Sequence, residues 1–145
     1  MSIHSQTNDD LAKLLLRSSF GIILIAHALL KIFVFTIPGT VGFFQSLGLP
    51  ALLAYLTILG ELSLGAFLII GLATRLSALL SAPIMAGALW VHSSNGWLFS
   101  NQGGGWEFPA LLVALSVTVF LQGAGKFSVD AKLRGATGPI AKLAH

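Results

Sequence analysis

ALLAYLTILGELSLGAFLIIG, residues Ala51–Gly71, decides how this chain is built. Its one acidic or basic residue is Glu61, and the stretch has the length of the ~20 apolar residues that an α-helix needs to cross about 30 Å of hydrocarbon. A charge at mid-helix in a bilayer costs roughly 2.5–3.5 kcal/mol even on the lenient insertion scale, so a span that keeps one must pair it, hydrate it or use it. Working outward, Ser18–Ile37, Leu76–His92 and Trp106–Gln122 are apolar windows of similar length. The first of them repeats the anomaly with Lys31, and His27 lies one helical turn earlier on the same face.

Composition agrees with this reading. Of 145 residues 55% are hydrophobic and only 9% charged, where a soluble domain carries about 25% charged residues; the mean hydropathy is +0.88. The expected fold is all-α, an integral membrane four-helix bundle with a short interfacial helix between spans one and two. The four windows leave no room for a soluble catalytic domain. The chain contains no cysteine, which excludes thiol–disulfide exchange, thiolate nucleophiles and cysteine-held iron–sulfur clusters within it. A pI near 9.7 suggests no nucleic acid here, because the basic residues stand at span ends, where orientation and anionic lipid headgroups explain them. Ala26-His27-Ala28 looks like a signal-peptidase site, but the apolar run continues to Phe35 and the leader carries Asp9 and Asp10, so the first span is expected to be retained.

The expected organisation is an N-terminal cytoplasmic tail over 1–13, a membrane domain over 14–131 and a basic cytoplasmic tail over 132–145. Thr7-Asn8-Asp9-Asp10 offers helix caps before Leu11. Thr36–Pro50 is apolar but too short to span and reads as an interfacial helix that starts near Thr40 and stops at Gly48. The tight turn Gly71–Arg75 makes spans two and three antiparallel neighbours. Ser93–Gly105 is polar, glycine-rich and flanked by Trp97 and Trp106; it is expected to form a mobile lid or docking surface on the outer side. Its triple glycine lacks the Lys-Ser/Thr ending of a phosphate cradle. No internal repeat is visible. Lys13, Arg17, Arg75, Lys126, Lys132, Arg134 and Lys142 all fall on one side of a four-span topology, so both termini are expected in the cytoplasm, with Arg75 and Lys126 as anchors.

At about 1.5 Å per residue, Lys31 lies roughly 9 Å, and His27 and Glu61 roughly 15 Å, below the outer ends of their spans. His92 closes span three and Glu107 opens span four on that side. His27, Lys31, Glu61, His92 and Glu107 are therefore the candidate ligand-binding residues, placed to line one cavity in the outer half of the bundle. Small or polar stripes accompany them: Gly21, Leu24, Ala28 and Lys31; Thr57, Glu61 and Gly65; Ser81, Met85, Ala88 and His92. Pro83 frees the carbonyl of Leu79 and is placed to bend span three. One reading is a Lys31–Glu61 bridge that only fixes helix register; the other is a protonatable cluster that holds a polar head, a quinone carbonyl being the obvious apolar-tailed ligand. No catalytic residue is assignable. His27 and His92 differ too much in depth for a bis-histidine haem, and no i, i+3 or i+4 ligand pair supports a metal. A proton or solute pathway is disfavoured because the inner halves, such as Leu68–Ile70 and Val117–Leu121, are apolar.

Taken together, Arg17 through Lys31, Gly60-Glu61-Leu62 to Gly71-Leu72-Ala73-Thr74-Arg75, Gly103-Gly104-Gly105-Trp106-Glu107 and the closing Gly123-Ala124-Gly125-Lys126-Phe127-Ser128-Val129-Asp130 resemble the DoxX family of small four-helix bacterial membrane proteins, over about residues 14–131. The closing motif departs from the family, which usually has Pro where Ala124 stands and often Arg at Lys126. The resemblance implies a place in the bacterial inner membrane and association with membrane-bound redox systems, including quinone-linked and oxidative-stress complexes; it leaves open whether the chain is an enzyme, a non-catalytic subunit of a quinone-linked oxidoreductase being one reading. It implies no intrinsic cofactor, with quinone as the candidate ligand, and a redox protein or a second copy as partner besides the lipid bilayer. The alternative function is a structural membrane anchor without its own ligand.

Overall fold

The computed structural model describes residues 3–141, with side chains over 6–135. Helix α1 runs Ile3–Leu29 and continues as a π-helical turn, Leu30–Val34; α2 is Ile37–Ser46, α3 Ala51–Ile70, α4 Thr74–His92, α5 Glu107–Gln122 and α6 Val129–Ala141. No strand occurs among the described residues. α1, α3 and α4 are each long and apolar enough to cross a membrane. α5 has 16 residues, about 24 Å at the helical rise. The fourth expected window is thus shorter than foreseen, because the Trp106 amide bonds back to the Gly96 carbonyl at 3.0 Å and belongs to the preceding loop.

The chain departs from the expected organisation at both ends. Helix α1 begins at Ile3, so the stretch read as a tail is its first turns. Asp9 does not cap a helix but pairs with Lys13 one turn on, at 2.6 Å. The C-terminal basic segment is helical through Ala141, and Lys142 lies outside the described residues. A short helix between the first two spans is present but starts at Ile37, three residues early, because Thr36 caps it: its Oγ1 accepts from the Gly39 amide at 3.2 Å.

α1 packs on α3, α3 on α4, α4 on α5 and α5 on α1, which closes a four-helix ring, and α2 lies against α3 and the π turn. The core is Phe20, Leu24, Leu64, Leu68, Ala78, Met85, Leu112 and Val119. Polar side chains are also inside: Arg17, Glu61, Ser77, Ser81 and Ser116 are buried, while Leu52, Leu59, Leu111 and Leu121 point outward and are more than half exposed. An apolar outside around a partly polar inside suits a bilayer, where lipid tails provide no hydrophobic drive between helices and small residues let them approach. That approach is closest where α1 crosses α3. A Cβ on Gly21 would stand 2.5 Å from the Gly65 carbonyl oxygen, and one on Gly65 would stand 2.7 Å from that of Gly21.

The end of the bundle that carries most of the lysines and arginines is held by Arg17. Its guanidinium, 1% exposed, donates from Nη1 to the carbonyls of Leu68, at 2.7 Å, and Ile69, from Nε to Ala124 at 3.2 Å, and from Nη2 to Phe127. Gly71 ends α3 at φ 72°, and a Cβ there would meet Ser128 and the guanidinium. The next residues turn into α4, whose first amides are capped from a distance: Asp130 accepts from Ala73 N at 2.7 Å and Thr74 N at 2.9 Å. Burial by itself raises the Asp130 pKa, but the Thr74 amide, the neighbouring Thr74 hydroxyl, the Ala73 amide and the charge of Arg134 outweigh it and hold the carboxyl below its ordinary value.

Two measurements of thermal stability in detergent check this description. Gly65→Leu forces α1 from α3 and is expected to cost about 1–3 kcal/mol, whereas Gly87→Ala, which meets nothing within 4 Å, costs nothing; equal midpoints for the two would refute the glycine crossing. Asp130→Asn is expected to cost about 1 kcal/mol as a lost cap. Because the folded pKa is depressed, the carboxylate's contribution is present above the unfolded value near 3.9 and lost as pH falls through the folded pKa. The gap between Asp130→Asn and the unmodified protein should therefore shrink on acidification below about pH 4.

Candidate functional site

The site begins with a backbone irregularity. Across Leu30–Val34 the helix widens to a π turn, the Phe35 amide bonding the Leu30 carbonyl at 2.9 Å; such turns occur often at functional sites. The Lys31 carbonyl instead accepts from the buried Thr40 hydroxyl of α2 at 3.1 Å. The chain reverses at Thr36, with φ 62° and ψ 156°, a conformation that costs a non-glycine residue on the order of 1–3 kcal/mol. The α2 contact with the π turn thus holds a strained connection directly beside Lys31.

Lys31 Nζ reaches across to α3 and binds both oxygens of Glu61, at 2.7 and 2.9 Å. Glu61 projects into the bundle between Ile58, Leu64 and Gly65, all buried. The pair is lopsided: the Glu61 side chain is 3% exposed and the Lys31 side chain 19%, so the approachable side is the ammonium. His27 lies within electrostatic reach of the carboxylate. Its Nδ1 is 2.8 Å from the Ile23 carbonyl and so carries the proton in the neutral ring, which leaves Nε2 as an acceptor. The ring stacks on Phe108 of α5, centroids 6.0 Å apart and planes at 21°.

Of the five candidate residues the structure brings together His27, Lys31 and Glu61. His92 and Glu107 engage the intervening loop instead. His92 Nδ1 donates to the Gly104 carbonyl at 3.0 Å, and Glu107 Oε1 accepts from the Phe99 amide at 2.7 Å. Asn95 Nδ2 donates to Gly103 and Gly104, Asn101 Nδ2 to Asn95, and Trp97 meets Trp106 edge to face at 4.5 Å. The stretch expected to be a mobile lid is thus a cross-bonded cap, since its polar side chains close on its own backbone. Among the described residues no three His, Asp or Glu side chains are placed to hold a metal.

Sequence reasoning placed Arg17 only on the basic side and overlooked its burial. The signal was available: Arg17 precedes Gly21, Leu24, Ala28 and Lys31 at the same helical spacing. Thr36 and Thr40 carried no comparable signal, because their roles depend on a π turn that periodicity does not announce.

The sequence pattern of the family described as DoxX matches residues 12–94, which take in Arg17, the Lys31–Glu61 pair and the α3–α4 turn but not the closing segment 123–130. The "Putative oxidoreductase CatD" of Bacillus subtilis (strain 168) is 34% identical over 121 residues, covering 83% of this chain and 86% of that protein. No solved structure matches the chain at a significant level.

The loop makes its own test. The amides of Phe99, Asn101, Gly104 and Trp106 are bonded and should exchange with solvent far more slowly than an open glycine-rich loop. Glu107→Ala, which removes a charge-assisted bond, should speed exchange at Phe99 by about tenfold or more. Unprotected exchange of all four amides in the unmodified protein would restore the lid.

Proposed function

The chain belongs to the DoxX family, and on that premise we propose that it is a small subunit associated with a membrane redox complex, its Lys31–Glu61 pair receiving the polar head of an apolar-tailed molecule, with a quinone carbonyl as the best chemical match. The observation that carries this reading is the lopsided burial of the pair. Glu61, enclosed, keeps the ammonium charged inside the bundle; Lys31, partly accessible, retains an N–H to donate to a carbonyl oxygen beyond the two given to Glu61. His27 Nε2 supplies an acceptor for the hydroxyl of a reduced head. Electrons come from a partner, in keeping with a relative named as an oxidoreductase. The excess of basic residues at one end supports an inner-membrane orientation with both termini in the cytoplasm, which sets the Lys31–Glu61 pair in the half nearer the other face.

A second reading, the anchor without a ligand, draws on a different observation: both carboxylate oxygens are already satisfied by Lys31, as a bridge that only fixes register requires. Lys31→Met or Glu61→Gln alone strands its partner and is expected to cost about 3–5 kcal/mol. The double variant should recover folding. Under the proposed function it loses the quinone that copurifies in mild detergent, measured by extraction and chromatography; retention equal to the unmodified protein would decide for the anchor.

A further inference from the structure

The opposite end of the bundle holds a second polar concavity, independent of the Lys31–Glu61 pair. Two adjoining clefts, each of about 370 Å³, share Arg75, Gly123, Ala124 and Arg134. Thr74 and Asp130 line the first; Lys13, Lys126 and Asp10 line the second. Lys13, Arg75, Lys126 and Arg134 face Asp10 and Asp130, with Asp9 paired to Lys13 at 2.6 Å, and these carboxylates are committed. Asp130 caps α4 through the Ala73 and Thr74 amides, and Asp10 accepts from the Lys126 amide at 3.0 Å with Lys126 Nζ 3.7 Å away. Four cations against three carboxylates leave one positive charge in excess, and among the described residues Arg75 is in no ion pair with a carboxylate.

Two features point to an anion as its occupant. Arg75 makes one long bond, from Nη2 to the Leu121 carbonyl at 3.3 Å, which leaves most of the donors of its planar fork unused. Gly123, at φ 72°, lets that guanidinium lie against the backbone, where a Cβ would come within 3.3 Å of Nε. Thr74 Oγ1 is the other feature. The residue is 1% exposed and lines the first cleft; its hydroxyl favours the ionised form of Asp130, yet it makes no hydrogen bond of normal geometry. A buried hydroxyl without a partner costs on the order of 1–3 kcal/mol, which an oxygen-rich ligand in the cleft would offset.

We propose that this concavity binds a phosphate-bearing anion, held by Arg75 and Arg134 with the Thr74 hydroxyl as a further donor. Guanidinium groups match phosphate oxygens two at a time, and the cleft volume suits a small head of the phosphoglycerol size. The phosphate comes from a lipid headgroup or from solution. The clefts lie where α5 ends and α4 and α6 begin, at the level where a phospholipid's phosphate stands beside a bundle that spans its leaflet.

The test uses the full chain in nanodiscs of phosphatidylcholine, with and without phosphatidylglycerol, and in detergent with inorganic phosphate. Retention of phosphatidylglycerol over phosphatidylcholine in native mass spectrometry, with no response to inorganic phosphate, assigns a lipid headgroup; saturable binding of phosphate in detergent, with no lipid preference, assigns a free phosphate. In either case Arg75→Gln is expected to weaken binding by about tenfold, Arg75→Lys to weaken it less, and Thr74→Val to weaken it without removing charge. Binding unchanged in Arg75→Gln, or no preference for either phosphate source in the unmodified protein, overturns the proposal. The measurements on the unmodified protein decide even if a variant fails to fold.

Discussion

The fold depends on how one buried cation is solvated. Among the described residues no carboxylate is in contact with Arg17; four backbone carbonyls from the last turn of α3 and from the segment after α5 take its N–H groups. A guanidinium removed from water without such partners would cost several kcal/mol. The carbonyls at a helix C-terminus carry about half a negative charge together, so α3 presents the complementary pole. Lysine could not replace it, since a compact ammonium has three donors and no planar fork with which to reach four carbonyls on two segments at once. In fixing Arg17, the chain also fixes Gly71 against Ser128 and brings Asp130 over the start of α4.

The α1–α3 seam thus has an electrostatic fastening at each end and a glycine crossing between them. The two fastenings differ chemically. Arg17 is bound by carbonyl oxygens, which do not titrate, whereas Lys31 is bound by a carboxylate, which does. A seam whose one end is fixed and whose other end can change protonation confines any response to the Lys31 half. The π turn, the positive φ of Thr36 and the Thr40 clip all lie in that half.

What the sequence made legible follows from what periodicity encodes. The spans, the α3–α4 turn and the meeting of Lys31 with Glu61 follow from apolar length and from the cost of a lone charge in lipid. The start of α1 was hidden because a polar segment gives the same composition whether it is a tail or the first turns of a helix. The cap over 93–106 was misread because glycine content reports freedom in the unfolded chain, whereas Asn95, Asn101, His92 and Glu107 supply the bonds that remove it. Those bonds also show why His92 and Glu107, correctly placed near one end, do not join the pair: each reaches the nearer backbone first.

The partners of Arg17 lie 51 and 107 positions downstream, at Leu68 and Ala124. A ribosome making this chain releases Arg17 long before either acceptor exists, and the first helix alone gives a bilayer no reason to accept that charge. Until those carbonyls are made, the charge lacks the partners that make its burial tolerable. Burial of the guanidinium thus requires α3 and the segment after α5 to be in place, so one contact near the start of the chain depends on residues near its end.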